Sequence, residues 1–198
     1  MEILGIIPAR GGSKGVPLKN IKKLNGIPLI GHTINSALKS KKINRLIVST
    51  DNIKIKNTAL KLGAEVPFLR PKVYATSKSQ NTDVIRHTIS FLKKTENYEP
   101  DIIIYLQPTT PFRTTKQIDK SINSLIKSKA TCVVGVSKIK THPYRVFWPK
   151  NEFLKPARSD FLNFYQRQMF PVCYYPTGSI YTFWKNTFEK HGNIYGPK

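Results

Sequence analysis

Continuous apolar runs alternate with segments of helical periodicity along most of the chain. The apolar runs lack the every-second-residue alternation of half-exposed strands, and they fall at 3–8, 45–50, 66–69, 101–106 and 131–136. Apolar residues recur at helical spacing from 29 onward, in 53–62, in 84–92 and in 118–126. This order predicts an α/β fold, a Rossmann-like open, mostly parallel sheet with helices on both faces.

The pattern changes after residue 141. Residues 142–176 are rich in tyrosine, tryptophan and proline, which predicts an excursion of hairpin and loops before the sheet resumes at 179–183. The aromatic residues that we expect to form an exposed patch there are Tyr144, Phe147, Trp148, Phe161, Phe164 and Tyr165. We therefore predict that residues 1–198 form one domain with a small insertion.

Polar clusters follow the predicted strands at 8–15, 50–52, 70–71 and 107–113. In open parallel sheets, ligands bind beyond the carboxyl ends of the strands. The most informative cluster lies in IPARGGSKGVPLKNI at 7–21, where three glycines are combined with three cationic side chains. Backbone amides and cations on such a bend predict a polyphosphate site, although the segment matches neither the Walker loop nor the dinucleotide fingerprint. The alternative is a turn that only links strand to helix.

The net charge of +22 favours another alternative, a basic nucleic-acid-binding α/β protein without catalysis. Scattered lysines with few interleaved aromatic residues make nucleic acid a less favoured partner.

No apolar run approaches the roughly 18 residues of a membrane span, and the start lacks the basic region of a signal peptide. We therefore expect a cytoplasmic protein without a membrane partner. Cys132 and Cys173 lack metal-ligand or redox spacing, and we expect the four histidines to be structural.

The Gly-rich segment closely resembles the first motif of the acylneuraminate cytidylyltransferases, the CMP-N-acetylneuraminic acid synthetase family. Further segments resemble that family in the same order: STDN at 49–52, RP at 70–71, LQPTTPFR at 106–113 and TGSIY at 177–181. The resemblance covers nearly the whole chain. It implies transfer of CMP from CTP to the anomeric hydroxyl of a sialic-acid-type sugar, with release of pyrophosphate. The nearer alternative keeps this reaction but uses another acid as acceptor: legionaminic acid, pseudaminic acid or Kdo. The Kdo enzymes have a different first loop.

The resemblance also implies roles for single residues. Arg10, Lys14 and Lys19 would be catalytic, because they would bind the triphosphate and neutralise its developing charge. Nucleotide-binding roles are implied for Gly11, Gly12, Ser13, Gly15, Asn20, Arg70 and Asn81. The acidic sugar would be bound by Gln107 and by Arg167, the latter through a two-point contact with the sugar carboxylate.

Some of these roles have alternatives. Arg70 would otherwise be a surface arginine held by Pro71, and Arg113 is open between a structural role and a role in the site. The chain departs from the family pattern at 79–81, which leaves strict preference for cytosine open.

The family uses Mg²⁺, bound by an Asp-x-Asp element near its C-terminus, and it forms dimers through an insertion comparable to 142–176. We therefore expect Mg²⁺ as cofactor and a homodimer. No Asp-x-Asp occurs in the sequence, which ends in IYGPK. Two explanations stay open: a truncated sequence, which the abrupt end favours, or a divergent copy without the metal site. If the end is natural, we expect low activity that the missing segment restores.

Overall fold

The computed structural model describes residues 1–13, 15–163 and 166–197, except for the side chains of Phe161 and Arg167. The strands are β1 (Ile3–Pro8), β2 (Lys23–Leu24), β3 (Ile27–Pro28), β4 (Arg45–Ser49), β5 (Ile102–Tyr105), β6 (Cys132–Lys138), β7 (Phe147–Lys150), β8 (Phe153–Pro156) and β9 (Tyr174–Trp184). The α-helices are α1 (Leu29–Leu38), α2 (Ile53–Lys61), α3 (Asn81–Glu96), α4 (Thr115–Lys127) and α5 (Lys185–His191). Residues form two compact units, Met1–Gly135 with the chain from Gly178 onward, and Val136–Thr177.

The main sheet has the strand order β4-β1-β5-β9-β6. β1 pairs in parallel with β4 and with β5, whereas β9 pairs with β5 in the antiparallel direction. The predicted open, mostly parallel sheet is confirmed. Because β1, β4 and β5 run in the same direction, the loops that follow them emerge at one edge of the sheet.

The sheet is buried on both faces. β1 shows this directly, because Ile3 and Ile7 pack into one core cluster and Leu4 and Ile6 into the other. The first cluster contains residues of α1, α2 and α4, and the second contains residues of α3 and α5. Helices therefore cover both faces, as predicted, and this double burial explains why the strands are continuous apolar runs.

One predicted strand is wrong. Residues 66–69 form no strand, and the contact with β4 is a single bridge between Ile47 and Glu65. Pro67 lacks the N–H that a continuing ladder needs, so pairing stops after one residue. The chain still follows β4, because the Arg70 N–H donates to the carbonyl oxygen of Thr50 at 2.7 Å.

A small hairpin, β2–β3, precedes α1. Its two-residue turn is Asn25-Gly26, and both residues have positive φ, 49° and 80°. Asn-Gly is the sequence that a type I′ turn favours, so a local signal for this hairpin exists in the sequence, although we did not predict it.

Residues 136–177 contain the predicted hairpin, formed by β7 and β8. Phe147 and Trp148 are exposed, as expected. Tyr144 is only half-exposed, because its ring packs against His142 and Phe170 with centroid distances of 4.8 and 5.7 Å. The Phe161 side chain and the other two aromatic residues of the predicted patch, Phe164 and Tyr165, lie outside the described part of the chain.

Across the described ranges, no helix combines the length and the apolar character that crossing a bilayer requires.

Candidate active site

A cavity of about 270 Å³ is lined by residues that follow the carboxyl ends of β1 and β5 and by the segment 70–84. It brings together six of the predicted site residues: Arg10, Lys19, Asn20, Arg70, Asn81 and Gln107. The cavity lies at the sheet edge where ligands of open α/β sheets bind.

The Gly-rich loop is held by the segment that follows β4. The Gly11 N–H donates to Asp51 Oδ1 at 2.8 Å, and the Asn52 side chain caps α2 by accepting from the N–H groups of Lys54 and Ile55. Glycine is required at position 11, because a Cβ there would lie 2.9 Å from the Asn52 side chain. The close approach of these two segments therefore fixes the base of the loop.

Two amides of the loop are already engaged within the protein. The Gly11 N–H bonds to Asp51, and the Ser13 N–H donates to the carbonyl oxygen of Gly11 at 2.9 Å. A Cβ at Gly12 or at Gly15 would meet no atom within 4 Å, so this side of the loop is open. The predicted nest of backbone amides therefore loses these two donors. Lys14 lies outside the described residues.

Two cationic residues of the loop, Arg10 and Lys19, line the cavity. The Arg10 Nη1 donates to the carbonyl oxygen of Thr76 at 2.5 Å, which joins the Gly-rich loop to the segment after Arg70. Lys19 begins a short 3₁₀ helix directly after Leu18, whose φ of 51° lies in the left-handed region that leucine rarely adopts. Asn20 is buried and its Nδ2 donates to the carbonyl oxygen of Arg10 at 3.0 Å.

Arg70 is buried, so the alternative of a surface arginine is wrong. Its Nε donates to Ser49 Oγ at 3.1 Å, its Nη2 donates to the Ser49 carbonyl oxygen, and its Nη1 donates to the Tyr74 carbonyl oxygen at 3.2 Å. Burial lowers the pKa of Arg70. The guanidinium therefore ties the end of β4 to the cavity wall that it also lines.

Asn81 is the first residue of α3, and its Oδ1 accepts a hydrogen bond from the hydroxyl of Tyr105 at 3.0 Å. Tyr105 is fully buried at the end of β5, and burial raises its pKa, so the phenol stays protonated and donates. The side chain of Asn81 is thus held at the cavity wall by the end of β5.

Gln107 directly follows the apolar run of β5, and its side chain lies beside Gly178, a residue within β9. A Cβ at Gly178, which has φ of 74°, would lie 2.6 Å from Gln107 Oε1. Glycine at 178 therefore leaves room for the Gln107 amide at the cavity edge.

Comparison with known proteins identifies the family of the chain. Residues 4–195 match the family model described as cytidylyltransferase. The chain belongs to the cytidylyltransferase family. This confirms the resemblance that the motifs at 7–21 and 106–113 suggested.

Two relatives and one structure define the similarity. The CMP-N,N'-diacetyllegionaminic acid synthase of Legionella pneumophila subsp. pneumophila is 39% identical over 185 residues, which cover 91% of this chain and 77% of the relative. The N-acylneuraminate cytidylyltransferase of Escherichia coli O18:K1:H7 is 33% identical over 182 residues, 91% of this chain and 42% of the relative. A CMP-2-keto-3-deoxy-manno-octonic acid synthetase solved in complex with CTP superposes with a TM-score of 0.70 at 18% identity, covering 97% of this chain and 78% of that one. At this identity the structure supports the fold alone.

The structure does not test two expectations for this cytidylyltransferase, the sugar-binding role of Arg167 and the binding of Mg²⁺. Arg167 begins a short 3₁₀ helix in the unit 136–177, and its side chain is outside the described part of the chain. Among the described residues, no three His, Cys, Asp or Glu side chains are grouped so that they hold a metal ion. The described residues therefore supply no three-ligand cluster of their own for Mg²⁺, and this cofactor stays a prediction.

Sequence reasoning missed the residues that hold the site together. Asp51, Tyr105 and Gly178 contact predicted site residues, but the sequence alone led us to assign them no role of their own. Asp51 and Gly178 stand within the motifs STDN and TGSIY, so the signal was present in the sequence. Tyr105 looked like one more apolar strand residue.

Proposed function

We propose that this cytidylyltransferase transfers CMP from CTP to the anomeric hydroxyl of a nine-carbon, sialic-acid-type sugar. One observation carries the proposal: a single cavity is lined by cationic side chains of the Gly-rich loop and by the amide of Gln107. Cations suit a triphosphate, and an amide suits a polar sugar. The relatives named for legionaminic and acylneuraminic acids favour an acidic sugar of this class as acceptor.

In the proposed reaction, the anomeric oxygen bonds to the α-phosphorus as the bond from phosphorus to the bridging oxygen of the β-phosphate breaks. Pyrophosphate leaves, and the proton of the hydroxyl passes to solvent. The protein mainly aligns the two substrates and neutralises the charge that develops on phosphate oxygens. Arg10, Lys14 and Lys19 are proposed for that task.

The two substrates occupy different sides of the site in this proposal. Gly11, Gly12, Ser13, Gly15, Asn20, Arg70 and Asn81 are proposed to bind the nucleotide. Gln107 is proposed to hold the sugar through its amide, and Arg167 to bind the sugar carboxylate. Since the amide of Asn81 is oriented by the hydroxyl of Tyr105, its Nδ2 is left to donate to the nucleotide.

Three further features belong to the proposal. Mg²⁺ is proposed to arrive bound to the triphosphate, since magnesium is commonly held by substrate phosphates with few carboxylates.

The unit 136–177 exposes Trp148, Phe153 and Leu154, which supports a homodimer. A mass measurement in solution at micromolar concentration tests this. We place the reaction in the cytoplasm, where it would supply an activated sugar for surface polysaccharide.

The test is a pyrophosphate-release assay of the protein as the cell makes it, with each of the four NTPs against a panel of nonulosonic acids and Kdo. We expect release with CTP and a nine-carbon acid only. No release with any pair of substrates would refute the proposal, and release with Kdo alone would move the enzyme to the ulosonic acids.

A pair of lysine variants sharpens this test. Lys19→Met should lower kcat roughly 10²–10³-fold, because it removes a preorganised charge at the phosphates. Lys22→Met removes an exposed lysine three residues away and outside the cavity, so its kcat should stay within about twofold of the wild type. Equal effects of the two substitutions would count against a local role for Lys19.

A further inference from the structure

Arg113 closes the loop that begins at Gln107, and only 5% of its surface is exposed. Its Nε donates to the carbonyl oxygen of Ser179 at 2.5 Å. Its Nη2 donates to the carbonyl oxygen of Gln107 at 2.8 Å and to Thr110 Oγ1 at 3.2 Å. The guanidinium therefore fastens the backbone of Gln107 and the middle of the loop to β9.

The charge of Arg113 is buried against neutral oxygens. Among the described residues its polar partners are two carbonyl oxygens and a hydroxyl, and its buried Nη1 has no hydrogen-bond partner. Burial lowers the pKa of Arg113 to about 10, so the group is still protonated at neutral pH. A buried cation without a carboxylate is costly, and an apolar side chain would often fill such a space more favourably. Filling space does not explain an arginine here.

The contacts of Arg113 converge on the surroundings of one side chain. Gln107 Oε1 lies close to the backbone of Gly178 in β9: a Cβ added at Gly178 would be only 2.6 Å from it. The Gln107 amide is therefore packed against the backbone of β9. Thr110 Oγ1 donates to the carbonyl oxygen of Gly178 at 3.3 Å, and Arg113 holds the next residue, Ser179. Within the described part of the chain, none of these three hydrogen bonds of Arg113 goes to the Gly-rich loop or to the segment 70–81.

We propose that Arg113 is a positioning residue that fixes the Gln107 amide for the acceptor sugar and thereby sets the affinity for that substrate. The proposal rests on the proposed function, because it takes the sugar as the ligand of Gln107. Arg113 acts through the backbone of Gln107 and through β9. A displacement of about 1 Å in such a group is enough to cost a large factor in rate or affinity.

The kinetic test uses Arg113→Met, which keeps the apolar stem and removes the donors, with Arg86→Met as the matched control. Arg86 is an exposed residue of α3 that lies 3.9 Å from the carboxylate of Asp83. We expect Arg113→Met to raise the KM for the sugar about 10- to 100-fold and the KM for CTP less than about threefold. Equal rises of both KM values would overturn the proposal.

A double variant separates positioning from a general structural role. Gln107→Leu removes the amide, so adding Arg113→Met to it should raise the KM for the sugar by less than about twofold more. Fully additive effects would overturn the proposal, because they would show that Arg113 acts independently of Gln107. If Arg113→Met fails to fold, Thr110→Val takes its place: it removes the hydroxyl that contacts Arg113 and the carbonyl oxygens of Gln107 and Gly178, and we expect the same KM split at smaller size.

A measurement that needs no catalysis distinguishes this inference from the proposed function. The side-chain amide signal of Gln107, assigned by its loss in Gln107→Leu, should be a single sharp pair in the wild type and should broaden or shift in Arg113→Met but not in Arg86→Met. An unchanged signal in Arg113→Met would overturn the positioning role. If the wild type transfers CMP to no acid, yet Arg113→Met still shows this broadening, only the proposed function is refuted.

Discussion

The two ends of the main sheet differ in how their positively charged side chains are paired. At the end where the parallel strands begin, cations pair with carboxylates. Arg45, the first residue of β4, bonds to Glu65 and Glu96, and Lys185, which follows antiparallel β9, bonds to Glu99 at 2.5 Å and to Glu189 at 3.1 Å. Acidic residues also precede β1 and β5 at positions 2 and 101. In these ion pairs, carboxylates of the protein neutralise the positive charge.

At the end where the parallel strands stop, the buried cations are Arg70 and Arg113. Both guanidinium groups bond to carbonyl and hydroxyl oxygens, and among the described residues neither forms an ion pair with a carboxylate. No carboxylate of the described residues contacts either guanidinium directly, and Asp51 acts on Arg70 only through its nearby charge. The cavity itself is lined by the cations Arg10, Lys19 and Arg70, and such an edge is suited to anionic substrates.

The strongest test of this contrast is Arg70→Met. Its three donors hold Ser49 and Tyr74, so the substitution leaves buried acceptors unpaired and removes a cation from the cavity wall. We expect a loss of about 3 kcal/mol in the free energy of unfolding and a CTP affinity lowered by about 30-fold or more. Denaturant unfolding and titration calorimetry measure the two effects.

Arg86→Met is again the control for Arg70→Met, since it removes an exposed arginine of α3. We expect both quantities to stay close to the wild-type values, within about 0.5 kcal/mol. If Arg70→Met kept full CTP affinity, the unpaired charge at this end would serve the fold alone, and the contrast between the ends would lose its functional meaning.

A smaller effect is expected at the carboxylate that supports the Gly-rich loop. Asp51→Ala removes the acceptor of the Gly11 N–H, a charge-assisted bond of 2.8 Å, and should raise the KM for CTP about tenfold. Asp51→Asn keeps an oxygen acceptor and should lie between the alanine variant and the wild type. Tighter CTP binding in both variants would mean that Asp51 acts by repelling the triphosphate and not by anchoring the loop.

Much of the fold could be predicted because burial on both faces leaves a direct trace in the sequence. The runs at 3–8 and 101–106 became β1 and β5, and the helical spacing in 84–92 lies within α3. The run at 66–69 misled us, because Val66 and Phe68 are buried without a ladder and Pro67 prevents pairing. Apolar character reports burial, and it does not report which backbone groups are paired.

The loop residues of the site could be predicted from the sequence, but the residues that hold those loops in place could not. The glycines and cations of 7–21 indicate an anion site by their chemistry, and the cavity gathers Arg10, Lys19 and Asn20 as expected. Whether an arginine points outward or back beneath its own loop depends on tertiary contacts. The sequence alone therefore did not decide between a structural role and a site role for Arg113. Its bonds to Gln107 and Ser179 span 6 and 66 residues of sequence, and the longer one has no local signal.

The smallest expected effect lies at the opposite end of the sheet, at Glu99. Lys185 and Lys93 hold the pKa of this carboxyl at about 2, well below its usual range. Because the folded pKa is lower than the unfolded value of about 4.3, the contribution of Glu99 to stability is present above that value and is lost as pH falls toward 2. Glu99→Gln should therefore be less stable than the wild type at neutral pH, and the difference should shrink as pH falls toward 2 and vanish only below that value.

The same variant tests whether the two ends are separate in function. Since Glu99 and Lys185 lie away from the cavity, Glu99→Gln should bind CTP as the wild type does at neutral pH. Glu152→Gln, at an exposed glutamate in the turn between β7 and β8, is the matched control and should keep the CTP affinity and the neutral-pH stability of the wild type. Weaker CTP binding in Glu99→Gln alone would show that the carboxylates at one end tune the charge at the other, and the sheet would then have to be treated as one electrostatic unit.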